Sequence, residues 1–244
     1  MKILKYLAFS ALVALSLTSC DKTTEGLTDT LYYPVITLEG GDVLLSVGDD
    51  YEEPGFSAAL GEEDLTSNVE VMSNVDTSAP GFYTVIYSVA DAEGHVANET
   101  RTVFVNNPGH FDNIYWGECK HKTNAARHYY NSPISIQLFD AADHQYLISD
   151  LLCGFYTYGV YPGYPYDFDA ESILQLNEDN TVELLEEGDF YFYDASDPEQ
   201  MYDGVFDPET GIFTYRLNYY IGGGAILTPI DESNFPGGLP IPEE

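Results

Sequence analysis

Asp76-Thr77-Ser78-Ala79-Pro80-Gly81-Phe82-Tyr83-Thr84-Val85-Ile86-Tyr87-Ser88-Val89 is the stretch whose reading decides the fold. A Pro-Gly turn opens a run in which Tyr83, Val85, Tyr87 and Val89 share one face at a period of two, the pattern of a half-buried strand and not of a helix. Asp91-Ala92-Glu93-Gly94 turns the chain, and Val96 to Val105 returns as a second strand. Upstream, Val35-Ile36-Thr37-Leu38, the Gly40-Gly41-Asp42 turn and Val43-Leu44-Leu45-Ser46-Val47 read as strand, turn, strand, and Asn68 to Val75 reads as another strand. Short strands at this spacing predict a β-sandwich.

The same residues resemble a known module. Val47-Gly48-Asp49-Asp50-Tyr51, Glu53-Pro54-Gly55-Phe56, Asp64-Leu65-Thr66, Val75 to Val85 and Asp91 to Gly94 are similar to the bacterial Ig-like module repeated in many surface proteins and found in an insecticidal crystal toxin. The resemblance implies an Ig-like β-sandwich over residues 34–105, serving as a spacer or accessory domain. A fold does not fix a function.

Asn106-Asn107-Pro108-Gly109 marks a boundary beyond which Tyr becomes dense: 15 of the 21 lie in residues 108–244 and 3 in residues 34–105. Ser132 to Phe139, Ser172 to Leu176 and Thr181 to Leu185 read as strands, the last two joined by an Asn177-Glu178-Asp179-Asn180 turn. Phe213, Tyr215, Leu217 and Tyr219 alternate after the hairpin turn Asp207-Pro208-Glu209-Thr210-Gly211. A helical turn is expected near Asn124 to His128. Residues 108–244 are thus expected to form a second antiparallel β-sandwich or barrel-like domain, making the chain all-β. Tyr146 to Tyr156, Leu176 to Leu185 and Tyr202 to Tyr215 resemble the C-terminal domain of a family of two-domain surface lipoproteins from gut anaerobes, some of which sit beside starch-utilisation-type glycan importers. The resemblance supplies no catalytic residues, and Cys153 stands where Gly would be expected.

The chain carries 41 Asp and Glu against 8 Lys and Arg, a net charge of −33 over 244 residues. Such a body repels nucleic-acid backbones and anionic lipid surfaces, while 44% hydrophobic residues make it too apolar for an acidic disordered tail. Its ligands are expected to be neutral or presented by a partner. Lys2 and Lys5 precede an apolar run from Tyr6 to Leu17, too short to span a bilayer, and then Leu17-Thr18-Ser19-Cys20. This resembles a bacterial lipobox, which implies a signal peptide over residues 1–19, lipidation at Cys20 and a tether to residue 33. The expected location is the outer membrane, facing the cell exterior.

Candidate chemistry is sparse. A glycosidase needs two carboxylates facing across a cleft, yet Glu62-Glu63-Asp64, Glu186-Glu187 and Asp207-Pro208-Glu209 have the placement of solvated turns. No hydrolase, metalloprotease, phosphate-loop or dinucleotide motif is present. His121 and His128 lack a zinc spacing, and no EF-hand loop occurs. No catalytic residue, metal or cofactor is expected. Cys119 and Cys153 either pair, which would contribute roughly 3 to 4 kcal/mol, or stand as separate buried thiols. The unusual stretch is Phe155 to Asp169, where Tyr156, Tyr158, Tyr161, Tyr164 and Tyr166 alternate with Gly and Pro beside Asp167 and Asp169. Rings beside carboxylates suit a sugar, whose C–H face stacks while its hydroxyls donate to Asp. Trp116 is a further candidate platform. The expected function is accessory, non-catalytic glycan binding at the cell surface. The alternative is a structural spacer or a protein-docking lipoprotein in an outer-membrane complex with importer components, in which the Tyr-rich loop contacts a partner barrel or subunit. As purely structural residues the rings would instead cover the end of the sheet or the face against the Ig-like domain.

Overall fold

The computed structural model describes residues 32–166, 168–188, 201–218 and 224–235. The alternating run becomes β6 (Gly81–Ala90), which pairs antiparallel with β7 (Val96–Asn106) through ten consecutive register partners from Gly81–Val105 to Ala90–Val96. Val85, Tyr87 and Val89 are buried, so the period-two pattern marks the core face. β5 (Glu70–Ser73) adds to β6 and β2 (Val43–Ser46) runs parallel to β7, giving a four-stranded sheet. β1 (Val35–Leu38), β3 (Phe56–Leu60) and β4 (Glu63–Asp64) form the opposing sheet. The expected strand, turn, strand at 35–47 is present, but its two strands enter different sheets, so the Gly40-Gly41 turn joins the layers of the sandwich and closes no hairpin.

Across this sandwich lies a buried charge. Arg101 is fully buried on β7 and all three of its guanidinium nitrogens donate: Nε to the Tyr87 hydroxyl at 3.2 Å, one amino group to Gly41 O at 2.5 Å, and the other to Glu39 O, Gly55 O and Glu53 Oε1 at 2.9, 3.1 and 3.2 Å. Tyr51 and Tyr87 both donate to Glu53 Oε2. Burial opposes ionisation of Glu53, but these hydroxyls, the Gly55 amide and Arg101 outweigh it and hold the carboxyl below its usual range.

The second half is one eight-stranded antiparallel sheet. Its elements are β8 (Asn113–Lys120), β9 (His128–Asp140), β10 (Gln145–Ile148), β11 (Ser172–Leu176), β12 (Val182–Glu186), β13 (Met201–Phe206), β14 (Phe213–Leu217) and β15 (Gly224–Pro229). The order is β12-β11-β10-β9-β8-β15-β14-β13. A Thr181–Val205 bridge and a Phe206 N–H to Asn180 O bond of 2.9 Å join the two outer strands, so the sheet is nearly closed into a barrel. Phe213, Tyr215 and Leu217 point inward as their alternation requires; Tyr219 lies outside the described residues. Phe111 meets Tyr146, Phe206 and Phe213 at ring distances of 4.9 to 5.2 Å inside. The helical turn expected near Asn124 is instead a tight turn between β8 and β9.

The halves share a seam. Phe104, Ile114, Trp116 and Ile230 form a buried cluster with Phe82 and Phe235 against it. Asn106 Nδ2 donates to Ile230 O at 3.0 Å and Gln137 Nε2 to Pro80 O at 2.8 Å.

Replacing Arg101 by Met leaves a carboxylate, a hydroxyl and three carbonyls short of a donor. Breaking a buried ion pair costs about 3 to 5 kcal/mol, so Arg101→Met should lower the urea midpoint of unfolding by a corresponding amount. An unchanged midpoint would show that the network adds nothing to stability.

Candidate functional site

The Tyr-rich stretch is placed by one buried carboxylate. After β10 the chain reverses at Asp150, which is 2% exposed. Its Oδ1 accepts the amides of Leu152 at 2.9 Å and Ala170 at 3.0 Å, and its Oδ2 accepts the Gly154 amide at 2.6 Å. The loop is thereby tied at both ends to one side chain. Burial, then the neighbouring Asp169, push the Asp150 carboxyl up to about 7 against the pull of the three amides. Cys153 and Gly154 follow in the left-handed region, at φ 55° and 70°. That conformation explains why Gly is the expected residue at 153. At 154 the need is also steric, since a Cβ would stand 2.3 Å from Ser132 Cβ.

A π-helical turn, Phe155–Val160, comes next, closed by the Tyr161 N–H to Tyr156 O bond of 2.9 Å. Single π turns often mark functional sites. Gly159 lets the turn lie against the Tyr129 ring, where a Cβ would come within 2.3 Å. Phe155 is fully buried and meets Tyr129 at 5.3 Å and the His121 ring at 5.9 Å.

The predicted site residues divide. Tyr156 is 6% exposed and belongs to the barrel core, so it offers no face to a ligand. Tyr161 is half-buried, stacked on Tyr156 at 6.1 Å and on buried Phe168 at 5.2 Å. Tyr158, Tyr164 and Tyr166 are 48%, 58% and 48% exposed, and the last two rings lie 5.7 Å apart at 33°. Tyr161, Tyr164 and Tyr166 thus lie around buried Phe168, at ring distances of 5.2, 6.4 and 6.3 Å, and lead from the core to solvent. Asp169 is half-buried and accepts the Thr157 hydroxyl within the loop. Asp167 lies outside the described residues, as does Cys20.

Trp116 is a correction: it is 8% exposed in the seam, 6.1 Å from Phe104, and cannot serve as a platform. Its Nε1 has no hydrogen-bond partner among the described residues. The Cys119–Cys153 bridge is not made either. Both stand as buried free thiols, Cys153 Sγ donating to Glu118 O at 3.6 Å; burial and the hydrogen bond with Cys119 push the Cys153 thiol well up. Sequence reading missed the turn between β8 and β9 as a neighbour of the loop. Its signal was present: Lys120 to His128 holds three Lys or Arg and no acid, in a chain with 41 acids.

These elements define a two-domain, all-β protein. Residues 36–105 are a bacterial surface protein Ig-like domain, and residues 109–226 belong to the BT2262-like C-terminal domain family. The chain is similar to the lipoprotein BT2262 from Bacteroides thetaiotaomicron, with 26% identity over 80% of this chain and 100% of that one, and a TM-score of 0.55. A match to the structure of CBM51-2 in complex with GlcNAc and INT domains from Clostridium perfringens ZmpB has 18% identity over 75% of this chain and 29% of that one, but a TM-score of 0.26, too low to define a shared fold. No curated protein matches the sequence. The solved relative is a bacterial lipoprotein, and the N-terminal match is to an Ig-like domain of bacterial surface proteins.

Asp150 makes a pH prediction. Its folded pKa lies above the unfolded value, so the stability it contributes is full below about pH 4 and is lost as pH rises through about 7. The shift of about three units corresponds to ~4 kcal/mol. The stability difference between wild type and Asp150→Asn, followed by urea unfolding, should shrink by up to that amount from pH 4 to pH 8; a constant difference would contradict the assignment.

Proposed function

We propose that the protein is a lipid-anchored, non-catalytic accessory protein of the cell surface that binds a glycan through the loop after Asp150. The observation that carries this reading is the set of three exposed rings in one loop, Tyr158, Tyr164 and Tyr166, the last two of them seated on buried Phe168. Aromatic faces fixed before binding cost little entropy to present to a sugar. Similarity to a lipoprotein supports the anchor, which we place at Cys20 after removal of residues 1–19, with residues 20–33 as a tether that holds the acidic body at the outer face of the outer membrane. The domains follow as residues 34–105 and 108–244, and components of a glycan importer are the natural partners.

Residues 34–244 form a compact unit, so the chain lacking residues 1–20 is suited to titration calorimetry against a polysaccharide panel. Replacing Tyr158, Tyr164 or Tyr166 by Ala should weaken binding by about 1 kcal/mol or more each, roughly fivefold, without changing the melting temperature. Tyr156→Ala should instead cost about 3 kcal/mol of stability. Equal affinity in all three surface variants would remove the loop from the site, and capture of an importer component without sugar would favour docking. In cells, labelled palmitate should be incorporated by the wild type and not by Cys20→Ser.

A further inference from the structure

The turn between β8 and β9 gathers three of the eight Lys and Arg residues of the chain, Lys120, Lys122 and Arg127, in nine residues. It is a built turn. His121 N–H donates to Arg127 O at 3.0 Å and Arg127 N–H to Asn124 O at 3.0 Å, closing the segment on itself. His121 Nδ1 accepts the amides of Thr123 and Asn124, both at 3.2 Å, which leaves the ring proton on Nε2 as a donor. A surface hollow of about 330 Å³ lies here, lined by His121, Lys122, Thr123, Arg127 and His128 among others.

Charge in the hollow is not cancelled locally. Glu118 is satisfied from two sides, by Lys120 at 3.4 Å and by His128 Nε2 at 2.7 Å, and the Tyr130 hydroxyl donates to His128 Nδ1 at 2.6 Å. Lys122 and Arg127 form no ion pair among the described residues, although most of the chain is acidic. The turn also packs on the start of the aromatic loop: the His121 ring, which lines the hollow, and Tyr129, which follows the turn, both meet buried Phe155 at the first residue of the π turn.

We propose that this turn is an anion-accepting subsite continuous with the Tyr loop, so that the glycan bound is an acidic one whose carboxylate or sulfate groups are taken by Lys122 and Arg127 while its rings rest on Tyr158, Tyr164 and Tyr166. The net charge of −33 does not forbid it. At physiological ionic strength the Debye length is about 8 Å, so acids farther away are largely screened and the nearest cations dominate. Arg offers a planar fork to a carboxylate or sulfate, and Lys a point charge. Three cations are too few for a nucleic-acid track, which needs a stripe of them. The overall charge suggests a neutral ligand only when averaged over the whole surface.

The inference rests on the glycan reading, and its test separates the two. The chain lacking residues 1–20 is titrated with polygalacturonate, dextran sulfate and neutral dextran, alongside Lys122→Gln/Arg127→Gln, whose melting temperature is checked first. Binding of either polyanion that falls at least tenfold in the double variant supports the proposal, and the polyanion bound identifies the acidic group. Undiminished polyanion binding in the double variant, or competition by single-stranded DNA at equal charge, overturns it. Binding of neutral dextran alone overturns the acidic subsite but leaves the glycan reading standing; binding of none of the three, nor of any other polysaccharide, overturns both.

Discussion

The site depends on a carboxylate that water does not reach. Asp150 holds the amides of Leu152, Gly154 and Ala170 together, and the chain between the last two is the whole aromatic loop. A loop of this length with many Gly and Pro residues would otherwise be costly to order. Tying its two ends to one side chain, and laying Phe155, Tyr156 and Phe168 into the barrel core, leaves Tyr158, Tyr164 and Tyr166 little freedom except at their exposed faces. Burial opposes ionisation of Asp150 while the three amides favour it, and burial outweighs them, so the folded state loses stability as the carboxyl gives up its proton.

The remaining acids act differently. Asp64, Asp76, Asp179 and Asp207 each accept the backbone amide two residues on, at 2.9 to 3.1 Å, and each has its carboxyl held below the usual range, with the neighbouring Thr or Ser hydroxyl as the largest cause. These are turn residues that use charge to satisfy amides the sheets leave free. The charge of these four acids is thus a property of how an all-β chain makes its turns, and it says little about the ligand.

Period-two alternation was sufficient to place β6 and β14 and their buried faces, because a strand with one face in the core writes its environment into local sequence. Hairpin turns at Asn177–Asn180 and Asp207–Gly211 were legible for the same reason. Local sequence could not show that β1 and β2 enter different sheets, since both pairings use the same residues. Nor could it tell Tyr156 and Trp116, which the fold covers, from Tyr158 and Tyr164, which it leaves in solvent; Tyr is compatible with both. The cationic turn was legible in nine residues and was hidden by averaging charge over a whole half.

The central claim is that the Tyr loop and the adjoining turn together take a saccharide. Hydrogen exchange of the chain lacking residues 1–20, with and without a bound polysaccharide, tests it most directly. Protection confined to peptides covering residues 120–129 and 154–166 is the predicted result. Protection within residues 34–105, with those two segments unchanged, would contradict the account.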